Sequence, residues 1–95
     1  MNVIHGAKFG FGRVLITPGA REALFCAEEN VDKYLQRHAV GDWGDLCPED
    51  KEENDLSLAE GYRLLSAYHL STLEKIWIIT EADRSATTIL LPDEY

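Results

Sequence analysis

The 95-residue sequence has few basic residues and few cysteines. Nine lysines and arginines stand against 17 aspartates and glutamates, which gives a formal net charge of −8. Direct binding to nucleic acid or to an anionic membrane needs a basic face, so this charge argues against both. The two cysteines, Cys26 and Cys47, are too few for a disulfide framework, and we expect both thiols to be reduced.

Long hydrophobic runs and targeting signals are missing as well. No apolar run approaches the ~20 residues that a transmembrane helix needs. The first six residues, MNVIHG, have neither the basic nor the apolar region of a secretory signal peptide. We therefore expect a cytoplasmic protein with a single domain over residues 1–95, because a chain of this length holds one small core.

The first half of the chain predicts a short strand followed by two short helices. Aromatic residues alternate with glycine before an apolar run that predicts a strand ending near Ile16. Thr17-Pro18 is a typical helix start, and we expect this first helix to end near Glu29 or Asn30 with Cys26 in the core. Apolar residues at helical spacing predict a second helix that passes through His38 and stops at Gly41.

The last third predicts a three-stranded antiparallel meander, which makes the fold class α+β. Three runs rich in β-branched and aromatic residues cover 62–70, 75–82 and 86–91. The short connections between them favour antiparallel neighbours, because a parallel crossover needs about a dozen residues. The middle run has apolar residues on both faces. We expect the helices to cover one face, and the N-terminal strand or a partner subunit to cover the other.

An acidic segment separates the helices from the meander. Residues 41–55 hold seven acids and one base, and Pro48 with two glycines predicts a long surface loop with at most a helical turn from Pro48 to Asn54. We predict that this loop binds a protein partner with a basic surface. The predicted contact residues are Asp42, Trp43, Asp45, Glu49, Asp50, Glu52 and Glu53. In a sharper version, the carboxylates imitate phosphates and inhibit a host DNA-binding or defence enzyme. The alternative without a binding function is that the acidic loop is only solvated and that Trp43 lies in the core.

No motif in the sequence predicts a catalytic residue, a metal site or a cofactor. A metal site built on the His38 to Asp45 segment lacks a ligand set that fits any common pattern. One alternative from a different class stays open: a small, toxin-like hydrolase or nuclease that uses His38 with Asp42, or His69 with Glu81, as an acid–base pair. Another alternative is a structural homodimer joined through the sheet.

Two motifs, HAVGDWG at 38–44 and ITEADRS at 79–85, lie within longer segments that resemble a known family. Residues 37–68 and 74–95 are similar to short bacterial proteins that are borne on plasmids and integrative elements. Some members carry the label "type I restriction endonuclease subunit M", but the family has no established active site. The resemblance implies the setting of a mobile genetic element. The charge of −8, the clustered acids and the lack of a catalytic constellation predict a non-enzymatic accessory or interaction protein. A methylating subunit would need a large nucleotide-binding domain, and 95 residues cannot hold one.

Overall fold

The computed structural model describes residues 6–95, which form four strands and three α-helices. In chain order the elements are β1 (Arg13–Ile16), α1 (Pro18–Ala27), α2 (Asp32–Ala39), α3 (Pro48–Glu60), β2 (Leu64–His69), β3 (Lys75–Thr80) and β4 (Ala86–Leu90), followed by a 3₁₀ turn (Pro92–Glu94). The predicted α+β class and the C-terminal meander are confirmed. None of the helices in the described part of the chain has the length and apolar character needed to cross a membrane.

The four strands form one mixed sheet in the order β1-β4-β3-β2. Strands β2, β3 and β4 are antiparallel neighbours, whereas β1 lies parallel to β4. The N-terminal strand therefore extends the sheet at its edge and does not cover a face. The reason is its backbone polarity: the amides of Arg13 and Thr17 donate to carbonyls of the β4 segment at 2.9 and 3.0 Å. A strand lying across the face would leave these groups without partners.

Helices α1 and α2 pack on one face of the sheet and close the core. Helix α1 begins as predicted, because the Thr17 hydroxyl accepts a hydrogen bond from the Ala20 amide at 3.2 Å. The core cluster comprises Ala20, Ala23, Leu24, Tyr34, Leu35, Tyr68, Leu70, Ile76, Ile78 and Ile89. Cys26 is exposed, so its predicted core position is wrong. At ~100° per residue it lies about 120° around the helix from Ala20, away from the stripe of Ala20, Ala23 and Leu24.

The predicted acidic loop is mostly helix, since α3 runs for 13 residues from Pro48. Pro48 occupies the first turn, and Glu49 and Asp50 lie next to it, where their charges interact favourably with the helix dipole. Gly61 ends the helix in the left-handed conformation with φ of 81°. The only buried residue of α3 is polar, Asn54, so the helix lacks the apolar stripe by which helices are found in sequences.

Candidate functional site

Helix α3 presents an acidic surface. Its carboxylates belong to Glu49, Asp50, Glu52, Glu53, Asp55 and Glu60, all on exposed residues. The ion pairs within residues 6–95 involve Glu29, Asp42, Asp45 and Glu81, and none of them includes a carboxylate of α3. Lys51 is the single base on the helix. The negative charge of α3 is therefore left largely uncompensated, and it creates a local field that attracts cations.

A groove of about 300 Å³ runs beside α3, and two of these carboxylates line it. Its walls are formed by Leu46, Asp50, Glu53, Asn54, Ser57, Arg63 and Leu65. The Arg63 guanidinium donates to the Tyr95 hydroxyl at 2.7 Å and lies 3.4 Å from Glu81, so its partners are these two residues and not Asp50 or Glu53. Within the described chain, Asp50 and Glu53 have no cationic partner. The groove thus combines an apolar wall with two available carboxylates.

Two polar side chains hold α3 against the sheet. Asn54 donates to the Leu65 carbonyl at 2.6 Å and accepts from the Leu65 amide at 3.0 Å. The Trp43 indole N–H donates to the Asp55 carboxylate at 2.9 Å. The helix is therefore fixed by specific hydrogen bonds to β2 and to the preceding loop. This fixed position sets where its acidic face points.

Trp43 belongs to the interior and not to the accessible surface. Its side chain is 3% exposed. Its ring stacks on Phe9 with 6.4 Å between ring centroids, and it meets the His38 ring edge-on at 5.7 Å. Of the predicted contact residues, Trp43 is thus the one that a partner cannot reach in this conformation.

Asp42 and Asp45 are exposed, but both are used to fasten the loop before α3. Asp42 accepts from the Arg37 guanidinium at 2.7 Å, and this hydrogen bond lowers the pKa of the Asp42 carboxyl. Asp45 lies 2.8 Å from the His69 ring, and this contact lowers the pKa of the Asp45 carboxyl. The structure therefore divides the predicted contact set. Glu49, Asp50, Glu52 and Glu53 are available, whereas Asp42 and Asp45 already have partners.

The same loop covers the outer edge of β2. The Ala67 amide donates to the Trp43 carbonyl at 3.1 Å, and the Asp45 amide donates to the Ala67 carbonyl at 2.7 Å. The Asp45 carboxylate accepts from the His69 amide at 3.2 Å. Gly44 permits this close approach, because a Cβ there would lie 2.0 Å from the Ala67 carbonyl oxygen and its φ is 79°. Asn54 bonds to Leu65 in the same way. Leu65, Ala67 and His69 on the outer edge of β2 therefore all have hydrogen-bond partners.

Beneath the loop, His38 lies at the centre of a buried chain of hydroxyl groups. His38, Ser66, Thr80 and Thr87 are all fully buried. Nδ1 of His38 lies 2.5 Å from Ser66 Oγ, and Nε2 lies 2.9 Å from Thr80 Oγ1. Thr80 Oγ1 is in turn 2.8 Å from Thr87 Oγ1, which donates to the Phe11 carbonyl at 2.8 Å.

The hydrogen bond from Thr87 to the Phe11 carbonyl determines the position of every proton in this network. Because Thr87 donates to a carbonyl, its oxygen accepts the Thr80 proton. Thr80 therefore accepts from His38 Nε2–H, and the unprotonated Nδ1 accepts from the Ser66 hydroxyl. The ring is neutral with its proton on Nε2. Burial, with a smaller contribution from the nearby charge of Arg84, lowers the pKa of His38 to about 4.

Neither acid–base pair that the sequence suggests is formed. His38 bonds to Ser66 and Thr80, whereas Asp42 bonds to Arg37. His69 pairs with Asp45, and Glu81 accepts from Arg63. The structure instead brings His38 to Ser66, a pair that resembles a nucleophile and its base but is closed to solvent.

The sequence interpretation missed Ser66, Thr80 and Thr87 as partners of His38. The sequence did contain one signal. Alternate residues of a strand share a face, so Thr80 lies on the same inward face as Ile76 and Ile78. A polar residue on such a face needs a partner. Within residues 6–95, no three side chains of His, Cys, Asp or Glu come together as metal ligands, and Cys26 and Cys47 are both free.

Comparisons with protein-family models, with curated proteins and with solved structures found no match to this chain.

Proposed function

We propose that this protein is a non-enzymatic interaction protein that binds a basic segment of another protein along helix α3. The observation that carries the proposal is the groove beside α3, where Asp50 and Glu53 lack a cationic partner within the described chain. Glu49 and Glu52 add to the negative field on the same helix. The contact surface is thus narrower than the one predicted from the sequence, and it excludes the buried Trp43.

A lysine or arginine side chain fits the chemistry of this groove. Its aliphatic stem would lie along Leu46 and Leu65, and its charged head would meet the carboxylates of Asp50 and Glu53. The uncompensated charge of α3 would steer a basic partner towards the groove, which makes the association rate fall as ionic strength rises. Removing both carboxylates would leave the partner's cation without a counter-charge in the groove.

The setting of this interaction follows from the sequence resemblance and from the charge. A mobile-element protein in the bacterial cytoplasm meets host enzymes that bind DNA, and such enzymes present basic surfaces. The acidic helix would occupy one of these surfaces and inhibit a host DNA-binding or defence enzyme. No binding of nucleic acid by the protein itself is expected at a net charge of −8.

The test compares three affinity-tagged baits in lysate from the natural host. The first is the unaltered protein. The second carries Glu49→Lys, Asp50→Lys, Glu52→Lys and Glu53→Lys on α3. The third carries Glu28→Lys, Asp32→Lys, Glu74→Lys and Asp93→Lys, which lie on exposed residues outside α3. Both variants change the net charge by the same amount. The comparison therefore separates the effect of where the charges lie from the effect of the total charge.

A partner retained by the first and third baits and reduced by about tenfold or more on the second supports the proposal. Circular dichroism of each bait checks that the fold is intact. Equal retention by all three baits, or equal loss from both charge variants, would show that α3 is not the contact surface.

A further inference from the structure

Strand β1 is an open edge of the sheet. It pairs with β4 on one side, where the amides of Arg13 and Thr17 donate to β4-segment carbonyls. Backbone groups alternate in direction along a strand, so the N–H and C=O groups of Val14 and Ile16 point away from β4. Within residues 6–95, no hydrogen-bond partner lies on that outer side.

The two edges of the sheet are treated differently. The β2 edge is covered by Asn54 and by the Trp43–Asp45 segment, whereas β1 has no such cover from the described chain. The side chains of Val14, Leu15 and Ile16 are 44%, 42% and 41% exposed. Proteins usually protect an edge by short length, charges, proline or a bulge. Strand β1 is four residues long and begins with Arg13, but Val14, Leu15 and Ile16 themselves include no charge, proline or bulge.

Charge favours a second copy of the chain as the occupant of this edge. Residues 6–27, which include β1 and α1, hold three basic residues and one acidic residue, whereas residues 42–60 hold eight acids and one base. The acidic part contacts β2, at the opposite end of the sheet. Two copies can therefore meet at β1 with their acidic helices far apart.

The surface beside β1 is also self-complementary. A groove of about 360 Å³ between β1 and α1 is lined by Ile16, Pro18, Arg21, Glu22 and Phe25, and Phe25 is 82% exposed. A two-fold interface brings one patch against its own copy, so it suits a patch with apolar residues and one charge of each sign. Arg21 and Glu22 provide those charges.

We propose that two copies pair β1 to β1 in antiparallel fashion, with Leu15 on the two-fold axis, and so form a continuous eight-stranded sheet. This register places Val14 opposite Ile16 of the second copy. It is the register in which the outward N–H and C=O groups of both residues in both copies find partners. A shift by one residue would direct these groups at backbone that is already bonded to β4.

Single cysteines test this register directly. In a background with Cys26→Ser and Cys47→Ser, the variants Val14→Cys, Leu15→Cys and Ile16→Cys are oxidised with oxidised glutathione. On the axis the two Leu15 Cα atoms would lie about 4.5 Å apart, which a disulfide spans. The two Val14 Cα atoms would lie about 8 Å apart, which a disulfide does not span. Leu15→Cys is expected to form the covalent dimer at least about tenfold faster than either neighbour.

A second measurement uses the unaltered sequence and does not depend on how the variants fold. Amide exchange followed by NMR at high and low protein concentration reports on each residue of β1. The Leu15 amide is bonded to β4 and is expected to be protected at both concentrations. The Val14 and Ile16 amides are expected to be protected only at high concentration, where sedimentation shows a dimer. A monomer at all concentrations, or equal cross-linking at the three positions, would overturn the proposal.

Discussion

The neutral state of His38 makes a quantitative prediction about acid stability. The pKa of an unperturbed histidine is about 6.5, and burial in the folded protein lowers it to about 4. The unfolded state therefore binds the proton more readily than the folded state. Stability is at its full value above pH 6.5 and is lost as the pH falls towards 4. In this range His38 takes up a proton in the unfolded chain but stays neutral in the folded protein, so protonation favours unfolding.

The size of the effect follows from the two pKa values. One pKa unit corresponds to about 1.4 kcal/mol, so the complete loss is about 3 to 4 kcal/mol. At pH 4.5 most of it has occurred, and we expect a loss between about 2 and 3 kcal/mol relative to pH 7.5. For a domain of this size, that is a large fraction of the free energy of unfolding.

The assay is urea unfolding at a series of pH values, for the unaltered protein and for His38→Gln. Glutamine can still donate to Thr80 but does not titrate in this range. Hydrogen bonds from Lys33 and Tyr34 hold the pKa of Glu29 at about 2. The stability that Glu29 contributes is therefore lost mainly at pH values below 4.5, and this loss is the same in both proteins. The difference between the two pH profiles therefore isolates His38. Parallel profiles from pH 7.5 to 4.5 would refute the neutral, buried assignment.

Two further predictions concern the β2 edge. Gly44→Ala should cost well over about 2 kcal/mol, because the left-handed conformation and the Ala67 carbonyl both oppose a Cβ, whereas Gly61→Ala should cost about 1 kcal/mol, since its φ is similar but its surroundings are open. Comparable losses for the two glycines in urea unfolding would show that the loop does not contact β2 as described. Asn54→Ala should cost about 2 kcal/mol, because it leaves the Leu65 amide and carbonyl without partners. Ser57→Ala, one turn later on α3 and with no side-chain hydrogen bond to any residue of 6–95, should stay within about 0.5 kcal/mol. A loss at Ser57 as large as that at Asn54 would contradict the role given to Asn54.

Local signals in the sequence predicted most of the elements. The Thr17-Pro18 start of α1, the stop at Gly41 and the three strands of the meander depend on residues close together in the chain. The helical state of the acidic segment was missed, because α3 is held by the polar Asn54 and by Trp43. Periodicity cannot reveal a helix that lacks an apolar stripe.

Contacts between distant parts of the chain set the rest of the architecture. The pairing of β1 with β4 joins residues more than 70 positions apart, and nothing local to either strand specifies it. The partners of His38 come from β2 and β3, so the single histidine was visible in the sequence but its network was not. Glu49, Asp50, Glu52 and Glu53 are exposed, and their role as contact residues stays a prediction. Their helical arrangement and the groove beside them needed the structure.

Site-specific photocrosslinking from the groove tests the central claim most directly. A benzophenone amino acid replaces Ser57, which lines the groove, and in a matched control it replaces Glu74 in the β2–β3 turn. Illumination of host cells that express each form should give a covalent adduct with a partner from position 57 and none from position 74. The adduct should disappear when Asp50→Asn and Glu53→Gln are added. No adduct from position 57, or an adduct that persists without the two carboxylates, would contradict partner binding at the acidic groove.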